Sequence, residues 1–562
     1  PDVTTRDIDR GDFDHFLLKE ISESPRSFAK TLRGRLIETD EGYDVRLPAE
    51  ALPSRVASRL ANGEFRRVEV IGQGTAAVAG QAVTAAFEWA LRGSGLAVRP
   101  TTATELSGFN LRDDMSDTLV VAISQSGTTT DTNRTVYLVR NRGASVLAIV
   151  NRRGSDLVDK SDGVLYTSDG RDVEMSVAST KAFYAQIAAG FLLALGVAAE
   201  LDDTKLGDAE RQALLRSLRQ LPEAMQQTLA RRPEIAAAAA RHAPGRRYWA
   251  MVGNGANVVA ARELRIKLSE LCYKSIACDV TEDKKHIDLS SEPMILVCAA
   301  GLTGSNADDV AKEVAIFRAH KAAPIVIATE GENRFSAALE VIAVPDVHPL
   351  LAFVLSTVVG HLFGYEAALA IDASARPLRE ARGVIEDYVG ATGDDWFESF
   401  GVELEPRASR FFELLRSSQY NGHLEASTAS RLATLLRFAT GTFSFEAYQL
   451  EMGKVGTPGV IVEDLAHALT AAIEELTRPV DAIKHQAKTV TVGISRADES
   501  LLQAELIQSV LATGCPRDRL SYRTLRSLSA ANAGVDEVVG YTRYRVEGDP
   551  EDSAQVAVVD KG

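Results

Sequence analysis

Ser124, Gln125, Ser126 and Thr129 crowd hydroxyls and an amide into one short loop, with Gly127 among them. An apolar run, 119–123, leads into this loop, and 134–140 after it reads as a helix. Strand, polar loop and helix in that order aim backbone N–H groups and hydroxyls at one spot, at the positive end of a helix dipole. Such a loop holds a phosphate without a basic side chain. The same residues also suit an ordinary strand-to-helix turn capped by Ser or Thr.

The elements around the loop alternate. Strands are expected at 68–71, 119–123, 146–150 and 164–166, with helices between them. After a long helical stretch, 206–241, the pattern recurs with strands at 248–252, 295–299, 325–328 and 341–344. Alternation of this kind implies an α/β fold with doubly wound parallel sheets. Each half opens with a strand and Gly-x-Gly, Gly72-Gln73-Gly74 and Gly253-Asn254-Gly255, which reads as an internal duplication. The second copy has Ala299-Ala300-Gly301-Leu302 where the first has its polar loop, so only the first is expected to hold phosphate. Gly72-x-Gly74-x-x-Ala77 approaches a dinucleotide fingerprint, but no acidic residue closes a following strand, and the glycines suffice as turn residues.

At the start, 13–25 reads as an amphipathic helix that Pro25 restricts or that gives way there to another, with short β segments around 43–47. Beyond 386, helices are expected at 407–415, 427–438 and 465–476, and strands at 489–494 and 537–546. This reads as a separate small α/β or α+β unit. His423, His467 and His485 are scattered through it and read as surface or packing residues.

The chain has 562 residues, is 45% hydrophobic and carries a formal charge of −15. That excess of acid argues against nucleic acid or an anionic membrane as a partner. Cys272, Cys278, Cys298 and Cys515 lack metal-ligand spacing, and reduced thiols fit a cytoplasmic setting. No metal or other cofactor is indicated. The longest apolar run, near 187–199, is too short to span a bilayer, and no signal peptide is visible. The chain begins at Pro1 without Met, which reads as a fragment or a processed form.

Several blocks resemble the isomerase part of glucosamine-6-phosphate synthase, which is built from two sugar isomerase (SIS) domains. They are Phe16-Leu-Leu-Lys-Glu-Ile-Ser-Glu-Ser-Pro25, Gly74-Thr75, Ile123-Ser-Gln-Ser-Gly-Thr-Thr129, Val177-Ala-Ser-Thr-Lys-Ala-Phe183, Glu263-Leu-Arg-Ile-Lys-Leu-Ser-Glu-Leu-Cys-Tyr273 and His286. The resemblance implies a lead-in at 1–62, a first SIS domain at 63–203, linking helices at 204–244, a second SIS domain with its tail at 245–385, and an extension at 386–562. It also implies a site. Thr75, Ser124, Gln125, Ser126 and Thr129 would hold a sugar phosphate; Val177 and Ser179 would line the sugar, with Lys181 structural or near the phosphate. Glu270 would move a proton between C1 and C2 beside Lys267. His286 would open the sugar ring from a neighbouring subunit, which implies a homodimer or larger assembly.

These residue types suit that chemistry. Aldose–ketose interconversion needs a base that removes a proton next to a carbonyl or imine and returns it one carbon away. Lys267 and Glu270, three residues apart, share one helix face, though such pairs are also common ordinary surface contacts. A histidine, titrating near about 6.5, suits ring opening, while His286 also reads as a solvated loop residue.

Three departures from the family stand out. The family's upstream glutaminase is not among these 562 residues: it has been cut off, is a separate chain or does not exist, and in the aminating reaction ammonia would come from such a domain or partner. Arg382 occupies the tail position of the family's imine-forming lysine, and a guanidinium cannot form an imine. The segment Glu282-Asp-Lys-Lys-His-Ile-Asp288 keeps the histidine but not the family's turn glycines and proline. The expectations are therefore a ketose-phosphate isomerase or aminotransferase, a deglycase or deaminase of an amino-sugar or fructosamine phosphate, or a non-catalytic sugar-phosphate sensor.

Overall fold

A computed structural model describes residues 9–201, 204–286, 289–391, 395–484, 500–515, 520, 522–535, 542–547 and 555–561. The chain enters through α1 (Phe16–Leu32), a hairpin of β1 (Leu36–Thr39) and β2 (Gly42–Val45), and α2 (Ser54–Ala61). The first α/β unit follows as β3 (Arg67–Gly72), α3 (Thr75–Ala90), β4 (Ala97–Thr102), α4 (Ala103–Phe109), β5 (Thr118–Ser124), α5 (Thr130–Arg140), β6 (Ser145–Val150), α6 (Asp156–Asp159), β7 (Gly163–Tyr166) and α7 (Lys181–Ala198). Two helices, α8 (Asp208–Ala230) and α9 (Arg232–His242), lead to the second unit. This comprises β8 (Trp249–Gly253), α10 (Asn257–Cys272), β9 (Ile276–Asp279), α11 (Thr281–Lys284), β10 (Met294–Cys298), α12 (Gly304–Ala319), β11 (Ala323–Thr329), β12 (Glu340–Val344) and α13 (Ala352–Ser374).

The two sheets are copies of one plan. Both are parallel, with orders β4-β3-β5-β6-β7 and β9-β8-β10-β11-β12. Central strands such as β5 and β6 are buried along their whole length and read as unbroken apolar runs, as strands covered on both faces do. Alternate residues go to different cores. Leu119, Val121 and Ile123 of β5, with Leu296 and Cys298 of β10, join one large core that both units share. Val120 and Ala122 face a smaller core of the first unit, and Ile295 and Val297 one of the second.

Helices α3 and α7 from the first unit and α10 and α13 from the second meet in the shared core, to which α1, α8 and α9 also contribute. Every residue of α7 is buried, which an all-apolar helix requires. A Cβ on Gly360 of α13 would stand 1.5 Å from Leu264 Cδ2, so only glycine lets α13 lie this close to α10. The stretches Lys181–Ala198 and Ala352–Asp387 are long and apolar enough to cross a membrane by length and composition. This corrects the expectation that the longest apolar run is too short. The first is α7 and the second runs through α13 into α14; 94% and 89% of their most apolar windows are buried inside the protein.

Other expectations need correction. Pro25 neither ends nor starts a helix; it lies inside α1. The side of α1 that carries Pro25 is buried, and the Ser24 hydroxyl bonds Glu20 O at 3.1 Å, so packing outweighs the lost backbone bond. The stretch 206–241 breaks at Arg231, with Pro233 in the first turn of α9. The strands β4 and β9 were not expected; both lie at sheet edges, and β4 carries Arg99 and Pro100 where an apolar run would be looked for.

The extension through Lys484 is all helix: α14 (Arg376–Asp387), α15 (Trp396–Arg416), α16 (Ala426–Ala439), α17 (Phe445–Met452) and α18 (Pro458–Lys484). They form a bundle with its own core, from Ala375 and Leu378 to Leu476. Beyond it come α19 (Glu505–Ala512), α20 (Tyr522–Asn532) and an antiparallel pair, β13 (Thr542–Glu547) with β14 (Gln555–Lys561). The strand expected at 489–494 lies outside the described residues. So does the first part of the one at 537–546, whose remainder falls in β13.

Candidate active site

The polar loop leaves the carboxyl end of β5, where the strand order of the first sheet reverses. It is braced from within. Ser124 Oγ accepts from Gly127 N at 3.0 Å and lies 3.3 Å from Thr129 Oγ1. Ser126 Oγ accepts from Thr128 N at 3.2 Å and Thr128 Oγ1 at 3.0 Å. Asn133 of α5 donates to Gly127 O at 2.9 Å and Thr129 O at 3.1 Å, tying the loop to the helix it opens. Gly127 has φ +65°, and a Cβ there would come within 1.9 Å of Ser155 Oγ. Gln125 turns its amide to Asp172 O at 2.9 Å, while its Oε1 is buried without a hydrogen-bond partner.

Thr75 opens α3 beside this loop and reaches into the second unit. Its Oγ1 donates to Glu263 Oε1 of α10 at 3.3 Å. Glu263 is fully buried, and its Oε2 has no hydrogen-bond partner. One turn further on, Lys267 is 2% exposed and donates to Glu270 Oε2 at 2.8 Å; the Glu270 side chain is 45% exposed. Burial pulls the Lys267 pKa down, but Glu263, Glu270 and Glu174 outweigh it and hold the net value up, so the ammonium stays charged. His361 of α13 packs behind, with Nε2 3.5 Å from Glu263 Oε1 and Nδ1 2.9 Å from Tyr184 OH. Full burial lowers the His361 pKa and raises that of Tyr184. A neutral imidazole and a protonated phenol therefore back the carboxylate.

The 174–182 segment completes the wall. Glu174 accepts from Ser179 Oγ at 2.6 Å, Thr180 N at 2.8 Å and Ala182 N at 3.0 Å, capping the start of α7 with a charge that suits its dipole. Val177 is 60% exposed. Lys181 is buried between Glu23 at 2.9 Å and Asp172 at 3.0 Å, where it fastens α1 to this segment, and it shares a small enclosed pocket with Gln125 of the loop.

Ser124, Gln125, Ser126 and Thr129 thus share one loop, Thr75 follows the neighbouring strand β3 and hydrogen-bonds Glu263, and Lys267 and Glu270 lie further along the same helix as Glu263. The structure does not bring Arg382 there. Arg382 lies in α14 and donates to Ala466 O at 2.8 Å and Thr470 Oγ1 at 2.7 Å of α18, so the tail expected beside the sugar is the first helix of the bundle. His286 follows α11, 69% exposed, with Nε2 3.5 Å from Glu282 Oε1. Glu263, His361, Tyr184 and Glu174 had no assigned role from sequence. Glu263 precedes Lys267 by one helical turn, a spacing that marks it; His361 sits in an apolar helix that gives no sign of it.

Residues 64–196 match the SIS domain family. The glutamine–fructose-6-phosphate aminotransferase of Thermus thermophilus is 35% identical over 381 residues, 66% of this chain and 58% of that protein. The enzyme of the same name from Corynebacterium glutamicum is 33% identical over 64% of this chain and 56% of its own length. The chain therefore spans a little over half of these relatives. Among solved structures, the C-terminal domain of glucosamine-fructose-6-phosphate aminotransferase from Francisella tularensis superposes with a TM-score of 0.56 at 22% identity, covering 65% of this chain and 98% of that domain. Tagatose-6-phosphate ketose/aldose isomerase from Escherichia coli superposes with a TM-score of 0.50 at 17% identity, covering 63% of this chain and 93% of that one. Residues 64–196 thus carry the match to the SIS domain, and the α/β body is similar in sequence to a little over half the length of the glutamine–fructose-6-phosphate aminotransferases.

Proposed function

We propose that the protein is a phosphosugar isomerase of the aminotransferase type, acting on a ketose phosphate such as fructose 6-phosphate. One observation carries this reading. Thr75 stands beside a phosphate-type loop and hydrogen-bonds the same helix that presents the Lys267–Glu270 pair. A phosphate held at Ser124, Ser126 and Thr129 would anchor one end of a sugar whose other end meets a carboxylate.

In the aminating reaction, ammonia adds to the C2 carbonyl and water leaves. Glu270 then takes a proton from C1 and returns it to C2, leaving an aldehyde at C1 and an amine at C2. The buried Lys267 ammonium holds the carboxylate in place and offsets charge that develops on the sugar. Since Arg382 is fixed to α18 and cannot form an imine, the nitrogen that reaches C2 is ammonia itself. A glutaminase domain or partner supplies it, and His286 of a second copy opens the ring in a homodimer. The test is incubation with fructose 6-phosphate and ammonium, followed by product chromatography. Glucosamine 6-phosphate should form, and Glu270→Gln should abolish it. Thermal stabilisation by fructose 6-phosphate without turnover would replace this reading with a sensor.

Run in reverse, the same steps release ammonium from an amino-sugar phosphate, a second reading with which Arg382, unable to form an imine, is equally compatible. Its sign is ammonium release from glucosamine 6-phosphate exceeding synthesis at equal substrate.

A further inference from the structure

The second sheet has its own switch point, at the carboxyl ends of β8 and β10. In open parallel sheets this crevice is where ligands bind. In the first unit the equivalent place holds Thr75 and the polar loop. In the second it opens into a cleft of about 660 Å³, inside the usual range for small-molecule sites.

The lining differs in chemistry from the first. After β10 come Ala299, Ala300, Gly301 and Leu302, so the hydroxyls that would receive a phosphate are missing. The two lysines on the wall are already engaged, Lys285 with Glu282 at 2.5 Å and Lys312 with Asp309 at 3.2 Å. That leaves a third carboxyl. Glu313 lines the cleft with its side chain only 9% exposed, and its Oε2 is buried with no hydrogen-bond partner. Its Oε1 is 3.9 Å from Lys285, too far for a hydrogen bond. Burial pushes the Glu313 pKa up; a hydrogen bond with Thr281 opposes this, a hydrogen bond with Glu282 adds to it and Lys285 opposes it, so the carboxyl is partnered on one side and only Oε2 is left open. A buried carboxyl oxygen left unsatisfied is costly, and a donor brought by a ligand would relieve it. Leu302 and Ile316 give the cleft an apolar side, and the Asn306 amide stands at its exposed rim.

The geometry points to a second ligand site in this cleft, for an unphosphorylated amino sugar whose ammonium reaches Glu313 and whose ring lies on Leu302 and Ile316. The wall formed by α11 runs directly into His286, whose N–H bonds Asp283 O at 3.0 Å. Occupancy would therefore fix the segment carrying that histidine. This last consequence rests on the enzyme reading above; the binding does not.

Calorimetric titration of the whole chain with glucosamine, glucose and fructose 6-phosphate tests the site. Glucosamine should bind saturably, and glucose, the same ring without the ammonium, at least about tenfold more weakly. Glu313→Gln should weaken glucosamine by about tenfold or more and leave fructose 6-phosphate unaffected. Ser124→Ala, in the first site, should leave glucosamine binding unchanged. No heat with glucosamine at millimolar concentration, equal affinity for glucose, or loss of binding in Ser124→Ala would each overturn the proposal. If Glu313→Gln fails to fold, Asn306→Trp blocks the cleft from an exposed position and must abolish glucosamine binding; retention would overturn it.

Discussion

Glu263 is the residue on which the first site turns. It lies without solvent between Thr75 and His361, with the Lys267 ammonium one helical turn on acting on it through space, and a buried acid survives only with such company. Removing its counter-ion should therefore do more than slow the reaction. Lys267→Ala should lower stability by about 3–5 kcal/mol, because a buried charge loses its partner. Denaturant titration measures this. Glu270→Gln, half exposed, should leave stability nearly unchanged while kcat falls by ~10²–10⁴-fold, as loss of a general base does. A second carboxylate sets a pH dependence. Burial and the neighbouring Glu174 raise Glu20 to about 7 from its ordinary 4.5. The folded state then binds this proton more tightly than the unfolded one. The stability is fully present below about 4.5 and is lost as pH rises through about 7, by an amount on the order of 3 kcal/mol. Melting temperatures between pH 4.5 and 8 should show the decline, and Glu20→Gln should flatten it. At this scale sequence reading was uneven. The phosphate-type loop announces itself through composition, whereas Glu263 and His361 become polar neighbours only when α3, α10 and α13 meet.

Among the elements, the strongly apolar central strands were legible and the edge strands were not. The run at β5 is seven residues buried end to end, while β4 is half exposed and interrupted by Pro100. Pro25 misled for a related reason: its penalty is local, but the burial of α1 against α7 and α8 is not. The helix α14 gives the sharpest discrepancy. A tail segment aligned by resemblance was expected beside the sugar, yet its apolar positions Leu378, Ala381 and Val384 belong to the bundle core. Borohydride added with fructose 6-phosphate should accordingly leave the mass of the chain unchanged. A gain of one reduced sugar would mean that some lysine forms the imine after all. Arg382→Ala removes two hydrogen bonds to α18 and should cost about 1.5–3 kcal/mol in denaturant titration.

For the molecule as a whole, the duplication is more than a repeat in sequence. The facing sides of the two sheets join one core, so the units are not beads on a string, and the candidate site lies at their seam. If His286 serves a neighbouring copy, defects should complement. Mixed and re-equilibrated Glu270→Gln and His286→Ala chains should recover about a quarter of wild-type activity, since half the dimers are hybrids with one intact site each. Absence of recovery would place the histidine elsewhere.

The helix α18 binds the remaining part of the molecule to this body. Ile461, Leu465, Leu469 and Leu476 lie in the bundle core, whereas Val480 and Ile483, at the far end of the same helix, lie in the core shared by the two sheets. One helix, with Pro479 at the crossing point, is thus planted in two foundations. A module attached in this way cannot be shed or grafted by recombination at a linker, because cutting the chain near residue 386 withdraws Val480 and Ile483 from the interior of the α/β body. The extension and the α/β body therefore stand or fall together.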